Sequence, residues 1–177
     1  MYDVVIIGGG INGVGIARDA AGRGLNTCLI EKGDIASETS SWSTKLIHGG
    51  IRYLENYDFK LVRESLKERD VIKKIAPHIT KPINFVLPHV PSLRPSWMIR
   101  IGLFLYDRLG GKSSFEKSKF INLNDHFKEN PIKEKYISGY IYSDLYVDDS
   151  RLALLNAKDA MNRGAKIYLN TKIVKVL

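Results

Sequence analysis

Residues 4–13, Val-Val-Ile-Ile-Gly-Gly-Gly-Ile-Asn-Gly, constrain this chain more than any other stretch. Val4 to Ile7 is a short, continuously apolar, β-branched run, the pattern of a strand buried on both faces of a parallel sheet. It leads directly into Gly8-x-Gly10-x-x-Gly13. From Gly13 to about Arg23, the residues Val14, Ala17, Ala20 and Ala21 recur at helical spacing, and Gly24 is placed to stop the helix. Thr27 to Ile30 repeats the buried-strand pattern. Together these segments predict a βαβ unit with a right-handed crossover. A glycine triplet alone is weak evidence. This one follows a strand, opens a helix and reaches the acidic Glu31 at the end of the second strand, which is the order a dinucleotide-binding unit requires.

Each position has a task in such a unit. Gly8 allows the tight turn, Gly10 lets the backbone approach a pyrophosphate without a Cβ, and Gly13 lets the helix pack closely on the strand. The first helical turn, with Ile11 and Asn12, offers N–H groups and the positive end of the dipole to phosphate. Glu31 would accept from the ribose hydroxyls of the adenosine half. A carboxylate there disfavours a 2′-phosphate, so NADP is the poorer fit, while NAD and FAD remain equal on this motif.

The rest of the chain reads as a loop from Asp34 to Thr44, too long for a tight turn, followed by a helix from about Asp58 to Ala76 that Pro77 ends. Residues 83–87 look like a strand. Pro88, Pro91 and Pro95 mark an irregular link to an apolar helix at about 96–109, for which packing is favoured over a membrane-surface role. A strand at 137–143, a helix at about 149–163 and strands at 166–169 and 173–177 complete the pattern, the last an edge with a missing neighbour that invites aggregation. One cysteine, Cys28, excludes an internal disulfide framework and any multi-cysteine metal site, and it is read as core. The formal charge of +8 invites anionic partners without choosing among them. Six cations (Arg94, Arg100, Arg108, Lys112, Lys117, Lys119) fall in residues 94–119 against Asp107 and Glu116. No apolar run approaches the roughly 20 residues that cross a bilayer. The expected setting is cytoplasmic, with a peripheral place on the inner face of the cytoplasmic membrane as the variant of that reading.

The tie between cofactors is broken by residues 39–55, Thr-Ser-Ser-Trp-Ser-Thr-Lys-Leu-Ile-His-Gly-Gly-Ile-Arg-Tyr-Leu-Glu. With the glycine motif, the run from Arg94 to Asp107 and the run from Tyr142 to Leu152, this stretch closely resembles the FAD-dependent glycerol-3-phosphate dehydrogenases of bacteria and mitochondria. The resemblance implies an α/β architecture: a Rossmann-like FAD-binding domain at 1–76 and 149–177, discontinuous and incomplete, with part of an α+β substrate or cap domain inserted at 77–148. It implies noncovalent FAD, with Thr39, Ser40, Ser41 and Ser43 around the pyrophosphate and ribityl chain. Lys45, Leu46, Ile47, His48, Gly49 and Gly50 would run beside the isoalloxazine ring, and Arg52 and Tyr53 would lie at the substrate pocket. The implied partners are glycerol 3-phosphate, a quinone as electron acceptor and a membrane surface, with a homodimer or a complementing C-terminal chain left open and nucleic acid not expected. The implied reaction is oxidation to dihydroxyacetone phosphate, hydride passing from substrate C2 to flavin N5 while an unassigned base takes the proton.

Two alternatives stand beside it. A related FAD-dependent amine or amino-acid oxidase would want no phosphate anchor, and the match from Ile47 to Tyr53 disfavours it. The other is a nonenzymatic remnant or half of a split protein, since the family's chains are several hundred residues long and the match covers their N-terminal part. The 177-residue chain is expected to be inactive by itself. For Arg52, spacing alone favours a surface salt bridge to Glu55, and the resemblance favours a phosphate anchor. His78, His89 and His126 show no metal-ligand spacing.

Overall fold

The computed structural model describes residues 1–90, 92–127 and 136–175. In chain order the elements are β1 (Val4–Ile7), α1 (Ile11–Gly22), β2 (Thr27–Ile30), β3 (Leu46–Ile47), α2 (Phe59–Ile75), β4 (Thr80–Pro88), α3 (Ser96–Leu109), β5 (Lys119–Asn122), α4 (Leu123–His126), β6 (Ser138–Val147), α5 (Asp149–Asn162) and β7 (Lys166–Tyr168). Short 3₁₀ turns occupy Thr39–Ser41 and Ile51–Asn56.

The chain divides into two compact units, Met1–Lys45 with Val147–Leu177, and Leu46–Tyr146. The structure therefore draws the division at 45/46 and 146/147, not at the expected 76/77 and 148/149. The reason lies in α2. Its buried Val62 and Leu66 form one apolar cluster with Tyr106 of α3 and with Ile51, Leu54, Leu109 and Tyr142, so the helix belongs to the second unit.

In the first unit β1, β2 and β7 form a parallel sheet in that order, with Val4 opposite Thr27 and Ile30 opposite Tyr168. The expected βαβ unit is present. Small residues let α1 and α5 approach closely: Val14, Ala17 and Ala21 share a core with Ala153, Ala157, Ala160, Ile6 and Leu29. Cys28 is buried in β2, as its place in an apolar strand suggests. The expectation that β1 is buried on both faces fails. Val5 and Ile7 are 55% and 62% exposed, because the α-helices that cover this sheet pack around Ile6, on the other face of the pleat.

The second unit is built on β6, which pairs with β3, β4 and β5. Leu46 and Ile47 lie antiparallel to Tyr146 and Leu145, and Lys119 to Asn122 lie antiparallel to Ile141 to Ser138. β6 is longer than the expected 137–143 and β4 longer than 83–87. The apolar helix at 96–109 has the expected bounds, and the packing favoured for it reaches only part of its surface: Leu103 and Tyr106 are buried, while Trp97, Met98, Ile101 and Phe104 are exposed. Residues 173–175 form no strand, so the expected terminal strand is not found there, and residues 176–177 lie outside the described residues. Pro91 and residues 128–135 also lie outside them.

Candidate functional site

The turn from β1 into α1 is shaped by backbone requirements. Gly8 has φ +107°, a conformation that side-chain-bearing residues avoid. A Cβ on Gly13 would lie 2.0 Å from the Gly8 carbonyl oxygen, so α1 can start only this close to the turn with glycine there. Gly10 is the N-cap, in extended conformation, and makes no side-chain cap. The cap comes from a distant residue, since Ser40 Oγ accepts from the Ile11 N–H at 2.9 Å. A Cβ on Gly10 would meet that same Oγ at 3.1 Å. Ile11 and Asn12 are exposed at the first turn, where helical N–H groups have no partner within the helix.

Glu31 is buried and does more than the sequence predicts. Its Oε2 accepts from the Gly9 N–H at 2.6 Å and its Oε1 from the Gly33 N–H at 2.7 Å. The Gly9 and Gly33 amides hold its carboxyl below the usual range, against the opposing effect of burial. The carboxylate thus ties the glycine turn to the segment after β2. Gly9, to which the motif spacing gives no task, is as constrained as its neighbours: a Cβ would lie 2.9 Å from Ile35 Cδ1 and 3.0 Å from Glu31 Cγ. The one signal for it in the sequence is that three glycines run consecutively.

The serine-rich loop is anchored to the start of α5. Asp149 accepts from Ser43 Oγ at 2.7 Å, from the Ser43 N–H at 3.3 Å and from the Ser150 N–H at 2.8 Å, and Lys45 Nζ lies 2.5 Å from its Oδ1. Burial works to raise the Asp149 pKa. The Lys45 and Ser43 hydrogen bonds outweigh it, and the carboxyl sits well below the ordinary carboxylate range. Lys45 has φ +57°, and its carbonyl accepts from the Val147 N–H at 2.9 Å. Ser41 Oγ donates to the Glu38 carbonyl, and Thr39 is exposed. Of the loop residues expected around a pyrophosphate, Ser40 therefore lies at the α1 N-terminus, while Ser43 is directed to Asp149, as is Lys45, expected beside the isoalloxazine ring. Asp149 is not among the residues expected at the site, although it lies in the run from Tyr142 to Leu152 that carries the resemblance.

In the second unit, Leu46 and Ile47 form β3, His48 is exposed, and Gly49 and Gly50 are buried. Gly50 has φ +67°, and the Tyr53 ring lies against it, where a Cβ would approach Tyr53 Cδ2 to 2.4 Å. Arg52 lines a cleft of about 690 Å³ together with Leu54, Met98, Ile101, Leu105 and Tyr142. The salt bridge from Arg52 to Glu55 that spacing alone favours is not what forms. Glu55 is held bidentately by Arg94, at 2.6 and 2.7 Å.

The first unit fits a dinucleotide: a left-handed glycine turn, a helix N-terminus and a Cβ-free approach are the features a pyrophosphate needs. Comparison with known proteins agrees. The family described as FAD dependent oxidoreductase matches residues 3–177. A glycerol-3-phosphate dehydrogenase of Pseudomonas tolaasii is 56% identical over 174 residues, covering 98% of this chain and 33% of its own length. A D-erythritol 1-phosphate dehydrogenase of Brucella abortus is 54% identical over 97% of this chain and 34% of its own length. The structure of the glycerol-3-phosphate dehydrogenase from Bacillus halodurans, complexed with FAD, superposes with a TM-score of 0.70 and 32% identity, over all of this chain and 28% of that one. The chain spans about a third of the length of the curated relatives it matches.

Proposed function

We propose that this chain, which belongs to the FAD dependent oxidoreductase family, is the cofactor-cradling part of an enzyme that oxidises sn-glycerol 3-phosphate to dihydroxyacetone phosphate. FAD, when bound, supplies the hydride acceptor. The chain's own contribution begins at the Gly8–Gly13 turn, where the first-turn amides of α1 hold the pyrophosphate and Ser40 keeps the helix start in place. Asp149 fixes the serine loop through Ser43 and Lys45. By the resemblance, residues 45–50 are the ones that would run beside the flavin ring and Arg52 the one that would hold the substrate phosphate, by charge and a bidentate fork.

The observation that carries this reading is the engagement of Glu55. With that carboxylate held by Arg94, the acidic neighbour nearest to Arg52 in sequence is occupied, and Arg52 lines the cleft. A substrate phosphate is the partner it suits. The 54% identity to a D-erythritol 1-phosphate dehydrogenase favours one second reading, a longer polyol phosphate.

The test grafts residues 1–177 into the Pseudomonas tolaasii enzyme in place of its matching segment. Reduction of an artificial acceptor is then followed with glycerol 3-phosphate, D-erythritol 1-phosphate, glycerol and glycine. Turnover is expected with glycerol 3-phosphate, and Arg52→Ala should cost about 2–3 kcal/mol in kcat/KM with flavin content intact. Preference for D-erythritol 1-phosphate would move the reading to the longer substrate, and unchanged kinetics in Arg52→Ala would remove the phosphate anchor.

A quinone acceptor at a membrane surface completes the proposal. It is supported by the exposed Trp97 and Phe104 of α3, with Arg100 on the same helix. Co-sedimentation of the chimera with phosphatidylglycerol vesicles should fall when Trp97 and Phe104 are both changed to Ser. Equal sedimentation would sink the membrane assignment.

A further inference from the structure

A run of buried polar groups in the second unit ends on the main chain of Gly49. Arg69 of α2 and Asp144 of β6 form an ion pair at 2.7 Å, with each side chain only 5% exposed. The same guanidinium donates to the Ser143 carbonyl at 3.1 Å, and its carbon lies 3.9 Å from the centre of the Phe115 ring. The Tyr106 hydroxyl of α3 donates to Asp144 Oδ1 at 2.7 Å and accepts from the Gly49 N–H at 2.8 Å. Tyr106 is 3% exposed.

Direction matters in this chain of bonds. Burial, followed by the charge of Asp144, pushes the Tyr106 pKa far up, so the phenol keeps its proton. A carboxylate cannot donate, so that proton must point to Asp144, and an oxygen lone pair is left for Gly49. Arg69 pairs with Asp144 and holds it in place. Gly49 is also closed in sterically, since a Cβ would lie 2.3 Å from Leu66 Cδ2 and 2.8 Å from Tyr106 Cε2. It sits between β3 and the left-handed Gly50, in a stretch with neither helix nor strand bonds of its own. Its amide partner is therefore a side chain 57 residues away.

We propose that Tyr106 is a positioning residue that sets the main chain at residues 48–50 through a buried Arg69–Asp144–Tyr106 relay. Its bearing on the flavin rests on the function proposed above, in which these residues run beside the ring. An amide whose partner is itself fixed by a second, buried hydrogen bond keeps one orientation, and the adjoining peptide and His48 are placed by it.

The experiment has two readouts. Amide hydrogen exchange at Gly49 is measured by 15N NMR in the 177-residue chain, for the native sequence and for Tyr106→Phe. Loss of the one acceptor should speed exchange at Gly49 by about tenfold or more, with the amides of α1 and α5 unchanged. Incorporation of 3-fluorotyrosine at position 106 keeps the shape and hydroxyl but weakens the oxygen as an acceptor. It should give an intermediate rate, and it serves if the phenylalanine variant does not fold. The flavin midpoint potential is then measured in the chimera. A misplaced segment should change the relative affinity for oxidised and reduced flavin by about tenfold, ~30 mV for a two-electron couple.

Unchanged exchange at Gly49 in both variants overturns the relay, whatever the chain binds. Faster exchange with an unshifted potential overturns the role toward the flavin and reduces Tyr106 to a brace of the second unit. A chimera that takes up no flavin refutes the function proposed above, and with it the role toward the flavin, while exchange at Gly49 still decides the relay.

Discussion

Gly13 offers the sharpest test of how the first unit is built, because a single methyl group there meets backbone. In Gly13→Ala the new Cβ would lie 2.0 Å from the Gly8 carbonyl oxygen and 3.1 Å from its carbon. No rotamer relieves that contact, and Gly8 already has the left-handed φ of +107° that the turn requires. The turn must open or α1 must slide. Overpacking of this kind costs about 1–3 kcal/mol, and an overlap with main chain belongs at the upper end. Alanine recovers at most about 1 kcal/mol of helix propensity. The net expectation is a loss of about 2 kcal/mol. Gly15 is the control, because it lies in the same helix and a methyl group there would have nothing within 4 Å, so Gly15→Ala should gain up to about 1 kcal/mol. For a chain of this length 1 kcal/mol moves Tm by roughly 2–4 °C, so the two variants should shift it in opposite directions, down by about 4–8 °C and up by about 2–4 °C. Thermal unfolding followed by circular dichroism reads both. If Gly13→Ala is stabilised like Gly15→Ala, the close strand-to-helix approach is not what requires glycine.

Glu31→Gln should lower Tm even without flavin, because an amide has one acceptor oxygen where the Gly9 and Gly33 N–H groups need two, and an unpaired buried donor costs about 1–3 kcal/mol; an unchanged Tm in the flavin-free chain would return Glu31 to a ribose-contacting role alone. Asp149→Asn should destabilise the chain most near neutral pH. The Asp149 carboxyl is held below its ordinary range, so its contribution is present above the unfolded value of about 3.9 and is lost as pH falls toward the folded value. A native-minus-variant difference that stays constant from neutral pH to below about pH 3 in urea melts would contradict this.

The parts of the fold that are legible in the sequence are those set by local pattern. β1, α1 and β2 follow from an apolar run, helical spacing and glycine stops within the first 30 residues, and α3 and α5 carry equally clear signals at both ends. The sequence pattern makes β6 too short because Ser143 and Asp144 interrupt its apolar run. Both are buried, but Ser143 Oγ is bonded to Asn84 Oδ1 at 2.6 Å and Asp144 to Arg69, so the strand continues through them. Partners 59 and 75 residues away leave no local trace. The two-residue β3 and the break between units at 45/46 are illegible for the same reason, since both depend on which distant strand takes up the pairing.

The site shows the same asymmetry between making a turn and holding it. The glycines announce themselves because their task is steric and local, and Gly8 and Gly13 are needed for the reasons their spacing suggests. The residues that hold those turns in place act across the chain: Ser40 on the Ile11 amide, Glu31 on Gly9, Asp149 on Ser43 and Lys45, and Tyr106 on Gly49. In each case one end of the bond is a backbone amide or a short loop side chain near a glycine or a left-handed residue, where regular secondary structure supplies no partner. Such segments carry buried donors that only a side chain from elsewhere can satisfy. The polar residues worth testing here are therefore the buried acceptors behind the loops, Glu31, Asp149 and Tyr106, as much as the hydroxyls that the loops display.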